Sequence, residues 1–269
     1  MVVGSEMAGS QVEAPDGLVK VNGLTLTKNR KGVELATHSP LVEQWIASYD
    51  GVHPIVDIGA AYGMNVGLAL ERGVRVVALD CEQRHLDEIR KKFKNEIESG
   101  QLQVGYAHLP DDFSNEIKGP FSSILLSEVV HFLHGWEIEK SLELLWNNMV
   151  PGAHIAINAA SGDLHFWDMD DEYFESWHAK FVEREAVGER WPGDDEGLFI
   201  TAKAIKDPSR HPMQPALFEI LHCQSVRALE NALERAGFEV VLGKTGTHPG
   251  YIPNPKTIGE PGVFVVGKK

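Results

Sequence analysis

Between Pro54 and Val266 the chain alternates short apolar runs with stretches whose apolar positions recur once per helical turn. Pro54-Ile55-Val56-Asp57-Ile58 is a β-branched run that ends at a glycine-rich turn, and it predicts a strand. Asn65 to Arg72 predicts a helix closed by Gly73, Val74 to Leu79 a strand ending at Asp80, and Gln83 to Ser99 a long helix closed by Gly100. Leu102 to Tyr106 predicts a third strand and Pro120 to Ser127 holds a fourth, around Ser123 to Leu126. Glu137 to Met149, with Leu142, Leu145 and Met149 on one face, predicts a helix; Pro151-Gly152 predicts a turn and His154 to Asn158 a fifth strand. Ser225 to Ala236 predicts a last helix, and Phe238 to Leu242 and Val263 to Val266 two final strands joined by a Gly- and Pro-rich loop. Strands spaced by helices imply βαβ units, and right-handed crossovers turn these into a doubly wound parallel sheet.

Three segments break the rhythm. Met1 to Asp16 is small, polar and acidic, and reads as a loose tail without the basic and apolar regions of a secretory leader. Val19 to Thr27 predicts an extended segment, and Ser39-Pro40 an N-cap with proline at the first helical position of a helix running through Leu41, Trp45 and Ile46 to Gly51. Residues 160–222 are rich in aromatic and histidine residues, and within Asp170 to Glu185 Tyr173, Trp177 and Phe181 form a helical stripe. The expected organisation is a tail over 1–18 and one domain over 19–269, with 161–222 as an inserted cap.

Composition narrows the function classes. A chain of 269 residues suits one large α/β domain, and at that size roughly three quarters of the unfolded surface is buried, so no staple is needed. Lys and Arg number 25 against 39 Asp and Glu, a formal charge of −14, which disfavours nucleic acid and acidic membranes as partners. The basic cluster Lys91-Lys92-Phe93-Lys94 is interspersed with Glu88, Glu96 and Glu98 and reads as a solvated helix face. Cys81 and Cys223 show no CxxC and no zinc spacing, so a reduced, cytoplasmic protein without a metal is expected. No apolar stretch approaches the length of a membrane span.

The first turn carries the chemistry. Asp57 sits at the carboxyl end of the first strand, where open α/β sheets place their ligands. Gly59, Ala61 and Gly63 follow at alternate positions, and Asp80 ends the second strand, where a carboxylate accepts ribose hydroxyls. A nicotinamide cofactor uses the same topology, but its G-x-G-x-x-G loop faces a pyrophosphate. An acid before the glycines repels a pyrophosphate and attracts an ammonium group.

Val56-Asp57-Ile58-Gly59 resembles the first motif of the class I S-adenosylmethionine-dependent methyltransferases, and Val77-Ala78-Leu79-Asp80 the second. Leu109-Pro110-Asp111-Asp112-Phe113 is similar to that family's adenine-bordering loop, Ser127 to Leu133 to its fourth-strand exit, and Leu144 to Gly152 to the helix and turn before strand five. The resemblance covers roughly residues 55 to 160. It implies a Rossmann-like, mostly parallel seven-stranded sheet whose last strand is antiparallel, with a helical and aromatic cap after strand five. It also implies S-adenosylmethionine as cofactor, contacted by Asp57, Gly59, Ala60, Ala61, Gly63, Asp80, Cys81, Leu109, Ser127, Glu128 and His131. Two departures stand out: Ala61 replaces the central glycine, and Tyr106-Ala107-His108 stands where many members carry an acid.

Methyl transfer asks the protein chiefly for alignment and a dry cavity, and for a base only when the nucleophile arrives protonated. By the resemblance His131 lies near the sulfonium and is the candidate catalytic base. Glu128, His131 and His134 could share a helix face as metal ligands, but zinc needs more ligands than this run shows. His134, Trp167, Trp177, Trp191, Arg210 and His211 are the candidate substrate contacts; with Arg190 they suggest an enclosed site for a small acceptor, an anionic one included. Lys28, Asn29 and Arg30 are further candidates at its mouth. The expected function is methylation of a small molecule on oxygen, nitrogen or sulfur, with a homodimer left open. The alternatives are an NAD-dependent oxidoreductase, a protein or RNA methyltransferase, and a protein that binds the cofactor without transfer.

Overall fold

The computed structural model describes residues 12–13, 19–21, 24–29, 32–113, 119–165, 169–194, 221–251 and 253–269. Four short strands lead: β1 (Val12–Glu13), β2 (Val19–Val21), β3 (Leu24–Leu26) and β4 (Val33–Glu34) form an antiparallel sheet in chain order. The extended segment expected over Val19 to Thr27 is thus two strands of a small meander. The helix expected from Pro40 starts later, as α1 (Val42–Ala47). The Ser39 hydroxyl accepts from Leu41 N–H at 3.2 Å but donates to Asn158 Oδ1 at 2.6 Å, so it ties this segment to the main sheet instead of capping at the expected place.

The main sheet is built by β5 (Ile55–Ile58), α2 (Met64–Glu71), β6 (Val76–Asp80), α3 (Gln83–Lys92), α4 (Lys94–Glu98), β7 (Leu102–His108), β8 (Asp112–Phe113), β9 (Phe121–Ser127), α5 (Gly135–Asn147) and β10 (Met149–Ala160). After it come α6 (Asp171–Ala186), α7 (Val226–Arg235), β11 (Glu239–Gly246) and β12 (Gly262–Lys268). The strand order is β11-β12-β10-β9-β5-β6-β7-β8. β7, β6, β5, β9 and β10 are parallel, and β12 runs antiparallel to both its neighbours. These with β11 are the seven strands expected; β8 adds two residues antiparallel to the end of β7. The long helix expected over Gln83 to Ser99 breaks at Phe93, whose φ of −115° and ψ of 40° separate α3 from α4. Pro151 and Gly152 make no turn between elements, because a register break between Met149 and His154 absorbs them within β10.

Alternate residues of each strand feed two cores. Val56, Ile58, Val77, Leu79, Ile124 and Leu126 face α5 and α7 through Leu142, Leu145, Leu229 and Leu233. Ile55, Val76, Ala78 and Leu125 face α1, α2 and α3 through Trp45, Val66, Leu70 and Ile89. A sheet buried on both faces explains why its strands read as unbroken apolar runs. The strand order reverses at β5, which lies between β6 and β9, so a crevice opens there at the carboxyl ends. Among the described residues no helix is long and apolar enough to cross a membrane.

Candidate active site

The crevice holds a cavity of about 400 Å³. Gly59, Ala60, Ala61, Asp80, Cys81, Leu109, Ser127, Glu128 and His131, named from the sequence, all line it. Asp57 and Gly63 stand behind that wall, Asp57 only 2% exposed. The loop after β5 turns sharply because Gly59 takes φ +77° and Ala61 φ +44°. A Cβ at Gly59 would lie 2.5 Å from Val129 Cγ2, so glycine is required there by space as well as by backbone. Gly59 and Ala60 N–H both donate to Leu79 O, at 2.8 and 3.0 Å, and this pins the loop to β6.

Asp80 organises that loop. Its Oδ2 accepts from Ala61 N–H at 2.9 Å and its Oδ1 from Glu82 N–H at 2.8 Å. His85 Nδ1 lies 3.1 Å from the same Oδ1. Lys28 N–H donates to His85 Nε2 at 3.0 Å, which leaves the ring proton on Nδ1, facing Asp80. Oδ1 therefore spends both lone pairs within the protein, and Oδ2 keeps one. Oδ2 thus has room for one further donor, and a second donor from a ligand would require His85 to move. The Lys28 bond, and Tyr62 Oη donating to Leu26 O at 2.7 Å, also dock the small sheet on the cavity mouth.

That docking brings in Glu34, which the sequence reading missed. It lines the cavity, and burial, its largest influence, raises its carboxyl pKa, with Lys92 opposing. Asp57 is pushed up to about 8, first by burial and then by the Asp80 and Glu34 charges. Across the cavity Glu128 is pushed up to about 7 by burial, against hydrogen bonds from Tyr251 and Asn158. Burial drives His131 down to about 3, helped by His222. An imidazole so reluctant to take a proton is a poor base at neutral pH. Among the described residues the lining contains no Lys or Arg. Among the described residues the charged groups that line the site are the carboxyls of Glu34, Asp80 and Glu128.

Other expected contacts go elsewhere. His134 N-caps α5 and places Nδ1 2.9 Å from Asp194 Oδ1, while Gly135 N–H donates to Asp194 Oδ2 at 2.7 Å. His134 is thereby held away from Glu128 and His131, and it does not line the cavity. Trp177 is 2% exposed and stacks between Phe174 and Phe181 in a small core shared with Met169 and Leu221, because the buried stripe of α6 is Phe174, Trp177 and Phe181 and not the one through Tyr173. Trp191 packs against Gly135 and His222 and donates Nε1–H to Glu139 at 3.0 Å. Arg190, expected to help hold an anionic acceptor, pairs with Glu139 at 2.5 Å on the surface. Lys28 Nζ lies 3.7 Å from Glu88, and Asn29 lines the cavity. Arg30, Trp167, Arg210 and His211 lie outside the described residues. Leu164, His165, Leu221, His248 and Tyr251 also line the cavity. Of these, Tyr251 and His248 come from the loop between β11 and β12, whose Gly- and Pro-rich pattern carried no signal for them.

No protein-family model matches the chain, and no curated protein matches it. Among solved structures it is similar to the S-adenosylmethionine-dependent methyltransferase SibL, at 16% identity and a TM-score of 0.52 over 85% of this chain and 53% of that one. The chain thus spans about half the length of SibL. It is similar to an S-adenosylmethionine-dependent methyltransferase from Mesorhizobium loti at 16% identity and a TM-score of 0.55, over 86% of this chain and 96% of that one. The glycopeptide N-methyltransferase MtfA, complexed with S-adenosylmethionine, matches at 12% identity and a TM-score of 0.53, over 84% of this chain and 91% of that one. With the β7-β6-β5-β9-β10-β12-β11 order and its antiparallel β12, the chain has the Rossmann-like fold of the class I S-adenosylmethionine-dependent methyltransferases.

Proposed function

We propose that the chain binds S-adenosylmethionine and transfers its methyl group to a small-molecule acceptor. The observation that carries this reading is the convergence of the Gly59–Ala61 loop, Asp80, Leu109 and Glu128 on one carboxyl-rich cavity at the switch point of the sheet. The residues fit the cofactor. Asp80 Oδ2 keeps a lone pair for a ribose hydroxyl, Leu109 and Cys81 offer apolar walls for a purine, and the Glu34 and Asp80 carboxyls on the wall favour a cationic ligand. They do not fit a dinucleotide, whose pyrophosphate would face the same acids. Bound S-adenosylmethionine supplies an electrophilic methyl group on a sulfonium. The protein's part is to hold donor and acceptor in line and to exclude water, and a cavity walled by Ile58, Leu133, Leu164 and Leu221 suits that.

Isothermal titration with S-adenosylmethionine and S-adenosylhomocysteine tests the binding half. Failure of both to bind the full chain rejects the reading. Release of S-adenosylhomocysteine on adding a metabolite extract, with a product heavier by one methylene, tests the transfer half.

A further inference from the structure

The cavity wall contains one acid whose setting differs from that of a structural carboxylate. Glu128 lies just past β9 with φ +58°, a left-handed conformation that a non-glycine residue adopts only when its surroundings impose it. Those surroundings are specific. Glu128 N–H donates to Asn158 O at 2.9 Å. On the side chain, Tyr251 Oη donates to Oε1 at 2.8 Å and Asn158 Nδ2 to the same Oε1 at 2.6 Å. Asn158 is itself oriented by the Ser39 hydroxyl at 2.6 Å. Both lone pairs of Oε1 are thus engaged, while no hydrogen bond to Oε2 is seen among the described residues; His131 Nδ1 lies 3.7 Å from it. One oxygen is clamped and the other carries no hydrogen bond among the described residues, in a side chain that lines the cavity.

We infer that Glu128 is a catalytic base for an amine acceptor, and that the acceptor is a small molecule presenting a primary or secondary ammonium group to Oε2. The inference rests on the methyltransferase reading above and adds the substrate class. In the step, Oε2 takes one proton from the ammonium nitrogen and frees its lone pair. That pair forms the new N–CH₃ bond as the S–CH₃ bond breaks, and the bond's electrons return to sulfur. The sulfonium charge reappears on the methylated nitrogen, opposite the same carboxyl group. An oxyanion or carboxylate acceptor would meet the Glu128 carboxyl at this wall, with no Lys or Arg among the described lining residues to offset it.

The groups packed around Glu128 leave it free to titrate alone near neutrality. Burial holds His131 down to about 3, and His222 and His248 to about 4, so these rings stay neutral. Tyr251 is driven up by burial and by Glu128, and burial also raises Cys223, which lies near Tyr251. His165, also on the wall, is engaged by Asp171 at 3.2 Å and Asn254 at 3.1 Å. Glu128 itself, pushed up to about 7, is matched to accept a proton and release it.

The test uses the full chain saturated with S-adenosylhomocysteine, titrated with arylalkyl and alkyl amines, phenethylamine first, each against a phenol and a carboxylate of matched size. At least one amine is expected to bind tenfold or more tighter than its matched phenol and carboxylate. Glu128→Gln is expected to lose that preference tenfold or more while still binding S-adenosylhomocysteine. Tyr251→Phe serves as a second variant and removes one hydrogen bond that favours the charged carboxylate. It should move the pH midpoint of amine binding and turnover upward, which a merely structural role would not do. Binding of S-adenosylhomocysteine with no amine preferred, or a preference that survives Glu128→Gln, overturns the inference and leaves the cofactor reading standing. No binding of S-adenosylhomocysteine to the wild type overturns both.

Discussion

Asp80 is the residue at which cofactor recognition and loop architecture separate most cleanly. Removing its carboxylate by Asp80→Ala takes away the one lone pair on Oδ2 that faces the cavity, and so one charge-assisted hydrogen bond to a ribose hydroxyl. Such a bond is worth about 1.5–3 kcal/mol, and at 1.4 kcal/mol per decade the dissociation constant should rise about 10- to 150-fold. The same substitution strands the donors at Ala61 N, Glu82 N and His85 Nδ1. A buried donor left unpaired costs about 1–3 kcal/mol, so Asp80→Ala should also lower stability visibly. Asp80→Asn distinguishes the two effects, since its amide oxygen in the Oδ1 position keeps the Glu82 and His85 donors satisfied while the charge is gone. Titration calorimetry with S-adenosylhomocysteine, beside urea unfolding of the same samples, reads both. The expected pattern is a loss of affinity in both variants and a larger loss of stability in the alanine. If Asp80→Asn binds with the wild-type constant while remaining folded, the ribose role is refuted.

Three other outcomes follow from the same geometry. The unfolded Asp57 carboxyl titrates near 3.8 and the folded one near 8, so the folded chain holds more protons in between; its stability is fully present below 3.8 and falls as pH rises through 8. Glu128 acts with the same sign, and urea midpoints at pH 5, 6.5 and 8 should decline in the ligand-free wild type and flatten in Asp57→Asn. Gly59→Ala places a Cβ 2.5 Å from Val129 Cγ2 at φ +77° and should cost about 1–3 kcal/mol, of which Val129→Ala restores only the steric part. Trp191→Phe loses the bond to Glu139 and should lower unfolding free energy by about 1 kcal/mol with the acceptor KM unchanged; a changed KM at full stability would place Trp191 in the pocket after all.

What was legible in the chain follows from locality. β5, β6 and β9 are short apolar runs bounded by glycine or an acid, and each lies where its own pattern placed it. The residues at their carboxyl ends, Gly59 to Ala61, Asp80, and Ser127 with Glu128, share a cavity because parallel strands align those ends. Glu34, Asn158, Ser39 and Tyr251 were not legible as site residues, because each reaches the cavity or Glu128 through long-range contacts. Glu34 comes from a two-residue strand and Tyr251 from an irregular loop, neither of which has a periodicity to read. The aromatic stripe of α6 misled for a different reason. On α6 Tyr173, Trp177 and Phe181 satisfy helical spacing, but so do Phe174, Trp177 and Phe181, and packing chose the second set. Trp177 belongs to both, and burial against Met169 and Leu221 decided its role.

The acids around the cavity carry a last consequence for the rate. In transfer to an amine, one positive charge moves from sulfur to nitrogen, so a carboxyl wall meets nearly the same total charge before and after the barrier. In transfer to an oxyanion, the charges cancel as the bond forms. The same wall then stabilises the separated sulfonium, repels the incoming anion and gains nothing at the transition state. Only interactions stronger in the transition state than in the ground state accelerate the step. Neutralising the wall should therefore remove a hindrance to oxyanion transfer, while for an amine it should cost only the base that deprotonates the ammonium group. Glu128→Gln should lower kcat/KM for an amine at neutral pH, where the ammonium group must lose a proton, and lose that effect above the amine's pKa. Above the phenol's pKa it should raise whatever trace activity exists toward a matched phenol, all measured as S-adenosylhomocysteine release. A fall of equal size for both acceptors would mean that Glu128 shapes the pocket and does not act through its charge.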